Sequence, residues 1–143
     1  MRFLDTNVLL YAVSGEEQET EKAAIAAALL QADDLALSVQ VLQEFYVQAT
    51  RVTRPRRLPN EKAKAFIESW LRFPIQEMTV GILRAALEAS QRFQLSYWDA
   101  AIIESARALG CSEVLSEDLN DGQQYAGLRV RNPFRPRPRR TRR

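Results

Sequence analysis

The apolar positions change period along the chain, and the changes mark out the elements. Arg2-Phe3-Leu4-Asp5 is a short apolar run that predicts a buried strand, and Thr6-Asn7 opens an apolar stretch through Val13 that suits a helix. Residues 16–32 are rich in alanine, glutamate and leucine, with acids in the first turn, and predict a second helix. Leu35-Ala36-Leu37-Ser38 predicts a strand. Residues 39–52 carry apolar side chains at Leu42, Phe45, Tyr46 and Ala49, which is helical spacing. The prolines and arginines of 53–59 predict a turn. Asn60 can cap a helix to about Phe73, Pro74 to Met78 reads as a short strand, and Thr79 caps a helix to about Phe93. Ser96 caps the next helix, which Gly110 ends. Residues 112–116 and 128–131 are the last two strand candidates. Strands alternating with helices predict an α/β domain, a parallel sheet covered on both faces. The folded body is expected over 1–132, followed by an arginine-rich tail at 133–143.

Composition narrows the chemistry. The chain has 143 residues, 46% hydrophobic and 27% charged, which suits one globular domain. It has one cysteine, Cys111, and no histidine. Internal disulfides, thiolate clusters, imidazole-based triads and histidine-ligated zinc are therefore excluded. Catalysis would have to use carboxylates, hydroxyls, lysine or arginine, with or without a hard metal ion. The N-terminal apolar run is too short for a signal peptide, and no stretch is long enough to span a membrane, so a cytoplasmic location is expected.

The net charge of +2 conceals an asymmetry. Residues 129–143 hold eight arginines and no acid, leaving 12 basic against 18 acidic groups before them. A second basic cluster lies at Arg51, Arg54, Arg56 and Arg57. Arginines beside an acidic body suit a polyanion such as RNA, with Arg135, Arg137, Arg139 and Arg140 as further candidates. A solvated tail accounts for the same run.

Four carboxylates stand out by position. Asp5 ends a strand and precedes a helix, where open α/β sheets bind ligands, although an N-cap aspartate has the same spacing. Ser96 and Asp99 have capping-box spacing, and Asp99 shares the inward stripe of Ile102, Ile103 and Ala106. An acid on that stripe is costly unless a cation or strong donors meet it. Glu44 lies opposite the apolar arc of its helix; it could be solvated or face a polar cleft. Asp118 follows a strand candidate, in a loop that an ordinary Asn/Asp/Gly turn would also explain. Together Asp5, Asp99 and Asp118 fall at one sheet edge, where they repel unless a divalent ion neutralises them. An oxygen-only cluster selects Mg²⁺ or Mn²⁺, ions that chiefly handle phosphate esters.

The segments Phe3-Leu4-Asp5-Thr6-Asn7, Gln43-Glu44-Phe45, Leu95-Ser96-Tyr97-Trp98-Asp99-Ala100 and Ser116-Glu117-Asp118-Leu119-Asn120-Asp121-Gly122 resemble PIN-domain ribonucleases, most of all the VapC toxins of toxin–antitoxin pairs. The resemblance covers residues 1 to about 132. It implies a PIN-like three-layer sandwich, a mainly parallel sheet flanked by helices. It also implies a Mg²⁺- or Mn²⁺-dependent endoribonuclease that leaves a 5′-phosphate. Asp5, Glu44, Asp99 and Asp118 would hold the metal, with Thr6, Asn7 and Ser116 in support and Asp121 near a further family acid. A cognate antitoxin and a homodimer are implied as partners. The alternative is a catalytically inactive PIN-like module that binds RNA or DNA.

Overall fold

The computed structural model describes residues 1–136; the tail arginines Arg137, Arg139 and Arg140 lie outside the described residues. Six strands form one sheet in the order β3-β2-β1-β4-β6-β5. They are β1 (Arg2–Leu4), β2 (Leu35–Ser38), β3 (Ile75–Gln76), β4 (Glu113–Leu115), β5 (Gln124–Tyr125) and β6 (Leu128–Arg131). All neighbours are parallel except β5 and β6. The helices are α1 (Thr6–Ala12), α2 (Thr20–Leu29), α3 (Val39–Ala49), α4 (Asn60–Trp70), α5 (Val80–Phe93) and α6 (Tyr97–Ala108). The α/β sandwich expected from the sequence is thus present.

The sheet order explains the layers. The chain steps outward from β1 to β2 to β3, then crosses back to β4 on the other side of β1. Right-handed crossovers put α1–α4 on one face and, with the reversal, α5 and α6 on the other. The buried strand residues Phe3, Leu4, Leu35, Leu37, Val114 and Leu115 are fully covered, as suits a sheet packed on both sides. Among the described residues no helix is long and apolar enough to cross a membrane.

Several boundaries differ from the pattern for local reasons. The expected helix over 16–32 begins as a 3₁₀ turn at Glu17–Glu19, because Ser14 Oγ donates to the Glu19 carboxylate (2.8 Å) and Thr20 Oγ1 to the Glu17 carbonyl (2.7 Å). Helix α3 stops at Ala49, three residues early, where Thr50 Oγ1 turns back to the Tyr46 carbonyl (2.7 Å). Asn60 is the first residue of α4 rather than its cap, and Pro59 precedes it. Strand β5 lies in a stretch, 123–127, to which the sequence pattern assigns no element. It pairs with β6 through a two-residue turn in which Ala126 and Gly127 both have positive φ (48° and 89°). Arg107 secures that turn by donating to the carbonyls of Tyr125 (2.6 Å) and Ala126 (2.8 Å). At the C-terminal end packing continues two residues past 132: the Phe134 ring meets Tyr11 edge-on at 4.9 Å.

Candidate active site

The reversal between β1 and β4 opens a crevice at the carboxyl ends of these strands, the position where doubly wound sheets bind ligands. Pairing of Leu4 with Leu115 sets Asp5 beside Ser116. Ser116 Oγ, fully buried, donates to Asp5 Oδ2 at 2.8 Å, and the Thr6 N–H donates to Asp5 Oδ1 at 2.7 Å. Asp5 is therefore the N-cap of α1 and a wall of the crevice at once. On the neighbouring strand Ser38 caps α3, and that helix carries Gln40 and Glu44 over the same edge. From the opposite face α6 is capped by Ser96, whose Oγ accepts from the Asp99 N–H (3.1 Å), so Asp99 sits in the first turn facing the crevice.

Asp5, Glu44, Asp99 and Asp118 line one cavity of about 100 Å³, with Thr6, Asn7, Leu10, Gln48, Trp98 and Ile102. Asp5, Glu44 and Asp118 are each held by their own donors. Thr6 Oγ1 (2.8 Å) and Gln40 Nε2 (3.1 Å) donate to Glu44, and Asn7 Nδ2 donates to Asp118 (3.1 Å). Asn7 Oδ1 accepts from the Glu117 N–H (3.2 Å), and Ser116 Oγ accepts from the N–H groups of Asp118 and Leu119. Glu44 is half-buried, not solvated, because α3 is close enough to α1 for Thr6 to reach it. Asp118 is the most exposed of the four.

Burial dominates the electrostatics. It pushes the Asp5 carboxyl up to about 6; the bonds from Ser116 and Thr6 work against that, and the charges of Glu44 and Asp118 add to it. Burial also raises Asp99, again with help from Asp118 and Glu44. Both shifts come chiefly from burial, with the neighbouring acids adding to it. The donors are oxygens only, which suits a hard divalent ion. Yet among the described residues no three acids close into a ready metal cage. Glu44 is drawn toward Thr6 and Gln40 and Asp118 toward Asn7, so the acids share the cavity without converging on one point.

The structure separates the remaining candidates. Asp121 does not line the cavity: it accepts from the Asn132 N–H (2.9 Å) and lies 3.7 Å from Arg135, tying down the C-terminal segment. Arg51 lines an outer cavity with Gln43, Glu44, Val47, Gln48 and Trp98. Arg56 donates to the Gly15 carbonyl (2.9 Å), and Arg54 and Arg57 lie in the turn after α3.

A PIN-domain family model matches residues 2–125. The chain belongs to the PIN-domain family. Solved structures with the same fold include a toxin–antitoxin complex from Klebsiella pneumoniae (20% identity, TM-score 0.69, covering 93% of this chain and 98% of that one). The sarcin–ricin loop cleaving toxin VapC20 of Mycobacterium tuberculosis is similar at 19% identity and TM-score 0.63, covering 82% of this chain and 92% of its own. VapBC2 of Rickettsia felis, bound to a fragment of its promoter, is similar at 17% identity and TM-score 0.62, covering 92% and 97%. No curated protein matches the sequence significantly.

Sequence reasoning passed over three residues of this PIN-domain site. Glu117 precedes Asp118 and is gripped by Tyr11 (2.6 Å) and Lys22. Burial opposes its ionisation, but the bonds from Lys22 and Tyr11 prevail and its carboxyl lies below the usual range. Gln40 spans two elements, donating to Glu44 and to the Trp98 carbonyl (3.2 Å), and its Oε1 is buried without a hydrogen-bond partner. Trp98 stands at the cavity rim with 62% of its surface exposed. Only the adjacency of Glu117 and Trp98 to Asp118 and Asp99 could have drawn attention to them.

Proposed function

We propose that this PIN-domain protein is a Mg²⁺- or Mn²⁺-dependent endoribonuclease, the toxin of a toxin–antitoxin pair. The observation that carries the reading is the meeting of Asp5, Glu44, Asp99 and Asp118, drawn from four separate elements, in one cavity at the switch point of the sheet. These four carboxylates line the space that would hold the divalent ion, which when bound supplies a Lewis acid for the phosphate and acidifies the attacking water. Ser116 and the Thr6 N–H fix both oxygens of Asp5, so this acid cannot rotate out of the cavity. Thr6 and Gln40 set Glu44, and Asn7 sets Asp118. Asp99 comes from the opposite helical layer, so a phosphate entering between α3 and α6 meets acids on both sides. Arg51, Arg54, Arg56, Arg57 and the C-terminal arginines are proposed to pair with RNA phosphates outside this acidic space. The resemblance to a toxin named for cleaving the sarcin–ricin loop favours RNA as substrate, and likeness to toxin–antitoxin complexes favours an antitoxin partner. Homodimerisation is proposed as what the sequence resemblance to VapC toxins implies.

The experiment is cleavage of RNA by the purified protein with Mg²⁺, with EDTA, and with Asp99→Asn. Cleavage should require the ion, and the substitution should lower it at least about a hundredfold while the circular dichroism spectrum is unchanged. Equal cleavage by Asp99→Asn and the native protein would overturn the reading.

A further inference from the structure

The acid cavity does not end at its acids. It shares Glu44, Gln48 and Trp98 with the outer cavity that runs on to Gln43, Val47 and Arg51. A single trough therefore leads from the four carboxylates, past an indole ring, to a guanidinium. Its order is that of a nucleotide strand: acids for the reacting phosphate, an aromatic surface, then a cation.

Trp98 is the residue that needs explaining. It occupies the first turn of α6, beside Asp99, and is the most exposed aromatic ring among the described residues at 62%. An exposed apolar residue is ordinary by itself. This ring, however, is supported at its base. Gln40 holds its backbone carbonyl, and Tyr97 meets its ring edge-on at 5.0 Å, so an indole fixed in place is presented to solvent at the rim. The other tryptophan, Trp70, is buried (3% exposed) against Phe45 and Phe66, where it serves the core.

We propose that Trp98 is a stacking platform for an unpaired nucleobase of single-stranded RNA, flanking the phosphate held in the acid cavity, and that Arg51 pairs with the next phosphate along the trough. An unpaired base offers a π-face that any aromatic ring can stack on, whereas a base inside a duplex does not. The acidic body repels a polyanion, so contact near the carboxylates must come from an uncharged surface, with the cation placed beyond it. Gln43 and Gln48, on the trough wall, can donate to or accept from a base edge. The platform thus favours single-stranded regions and loops over helical RNA. This inference rests on the nuclease reading for the identity of the strand, but its test does not depend on cleavage.

The test uses the full-length Asp99→Asn protein with Mg²⁺ and short uridine or adenine oligoribonucleotides, followed by tryptophan emission. Stacking should quench the emission saturably. Trp98→Phe, in which only the buried Trp70 emits, should lose the quenching yet keep most of the affinity by a separate filter-binding measurement. Trp98→Ala should weaken binding roughly tenfold, as loss of one stacked base does, and Arg51→Ala should weaken it with a flatter salt dependence. An oligonucleotide made abasic throughout should bind weakly and quench nothing. Unaltered emission on saturation with RNA, or unaltered affinity in Trp98→Ala, would overturn the platform. Should the native protein cleave RNA while Trp98→Ala binds it normally, the platform fails and the nuclease reading stands. Quenching by RNA from a protein that cleaves none would leave the platform standing and sink the nuclease reading. Quenching by an antitoxin peptide but by no RNA would reassign Trp98 to the protein partner and overturn the proposal.

Discussion

Replacing Asp5 with asparagine should make the metal-free protein more stable at neutral pH. In the fold the Asp5 carboxyl titrates at about 6, against 3.8 for the unperturbed group, chiefly because it is buried. Its proton is thus bound more tightly folded than unfolded. The resulting stability is fully present below about pH 4 and is lost as pH rises toward about 6. A shift of this size corresponds to about 3 kcal/mol between the two limits. Asparagine carries no charge, so Asp5→Asn removes that dependence. It has one acceptor where aspartate has two, and Ser116 or Thr6 loses a partner, a pH-independent cost of about 1 kcal/mol. The variant should therefore be slightly less stable than the native protein at pH 4 and about 2 kcal/mol more stable at pH 7. Urea denaturation in EDTA across pH 4 to 8 measures both, and at about 2 kcal/mol per molar urea the neutral-pH gain is a midpoint shift of about 1 M. Comparing the two proteins at each pH cancels the titration of groups far from residue 5. A stability difference that stays constant from pH 4 to pH 7 would refute the argument that burial of this carboxylate strains the fold. At pH 7, Mg²⁺ should narrow the gap by stabilising the native protein through mass action.

Ser116→Ala should cost about 1–3 kcal/mol in denaturant titrations, since it strips a donor from buried Asp5 and an acceptor from the N–H groups of Asp118 and Leu119; an unmoved midpoint would contradict this. Lys22→Met breaks a partly exposed pair with Glu117, so stability should change by under about 1 kcal/mol. The Mg²⁺ concentration for half-maximal RNA cleavage should nonetheless rise severalfold, because the loop bearing Asp118 loses an anchor; an unshifted Mg²⁺ titration would count against that anchoring role. Deleting residues 135–143 from the Asp99→Asn protein should lower RNA affinity and flatten the log–log salt slope by roughly 0.7 per lost phosphate contact. Unchanged affinity and slope would leave the tail without a part in binding.

The order of elements, the α/β class and the places of Asp5, Asp99 and Asp118 were legible in the sequence because each rests on neighbours in the chain. A strand that ends in Asp-Thr-Asn and runs into an apolar helix, or a Ser96–Asp99 cap before an inward stripe, is a local pattern read within a few residues. The family resemblance came from the same short segments, and the PIN-domain match over residues 2–125 agrees with it. Helix ends were less legible, since Thr20 and Thr50 turn their hydroxyls back on the chain and shift the boundary. What periodicity left open about Glu44 was decided only by tertiary structure. Its helix position alone allows solvent or cleft, and the choice depends on Thr6, 38 residues away, reaching it across α1 and α3. Asp121 shows the opposite outcome: three residues from Asp118 in sequence, it turns to Asn132 and Arg135 instead of the cavity. The β5–β6 hairpin likewise depends on Arg107 of a distant helix holding the carbonyls of its turn. Sequence pattern reports which side of its own element a residue occupies; which neighbour waits on that side is set by strand order and register. Here the chain's return from β3 to β4 brought four distant carboxylates to one crevice and left Trp98 standing at its rim.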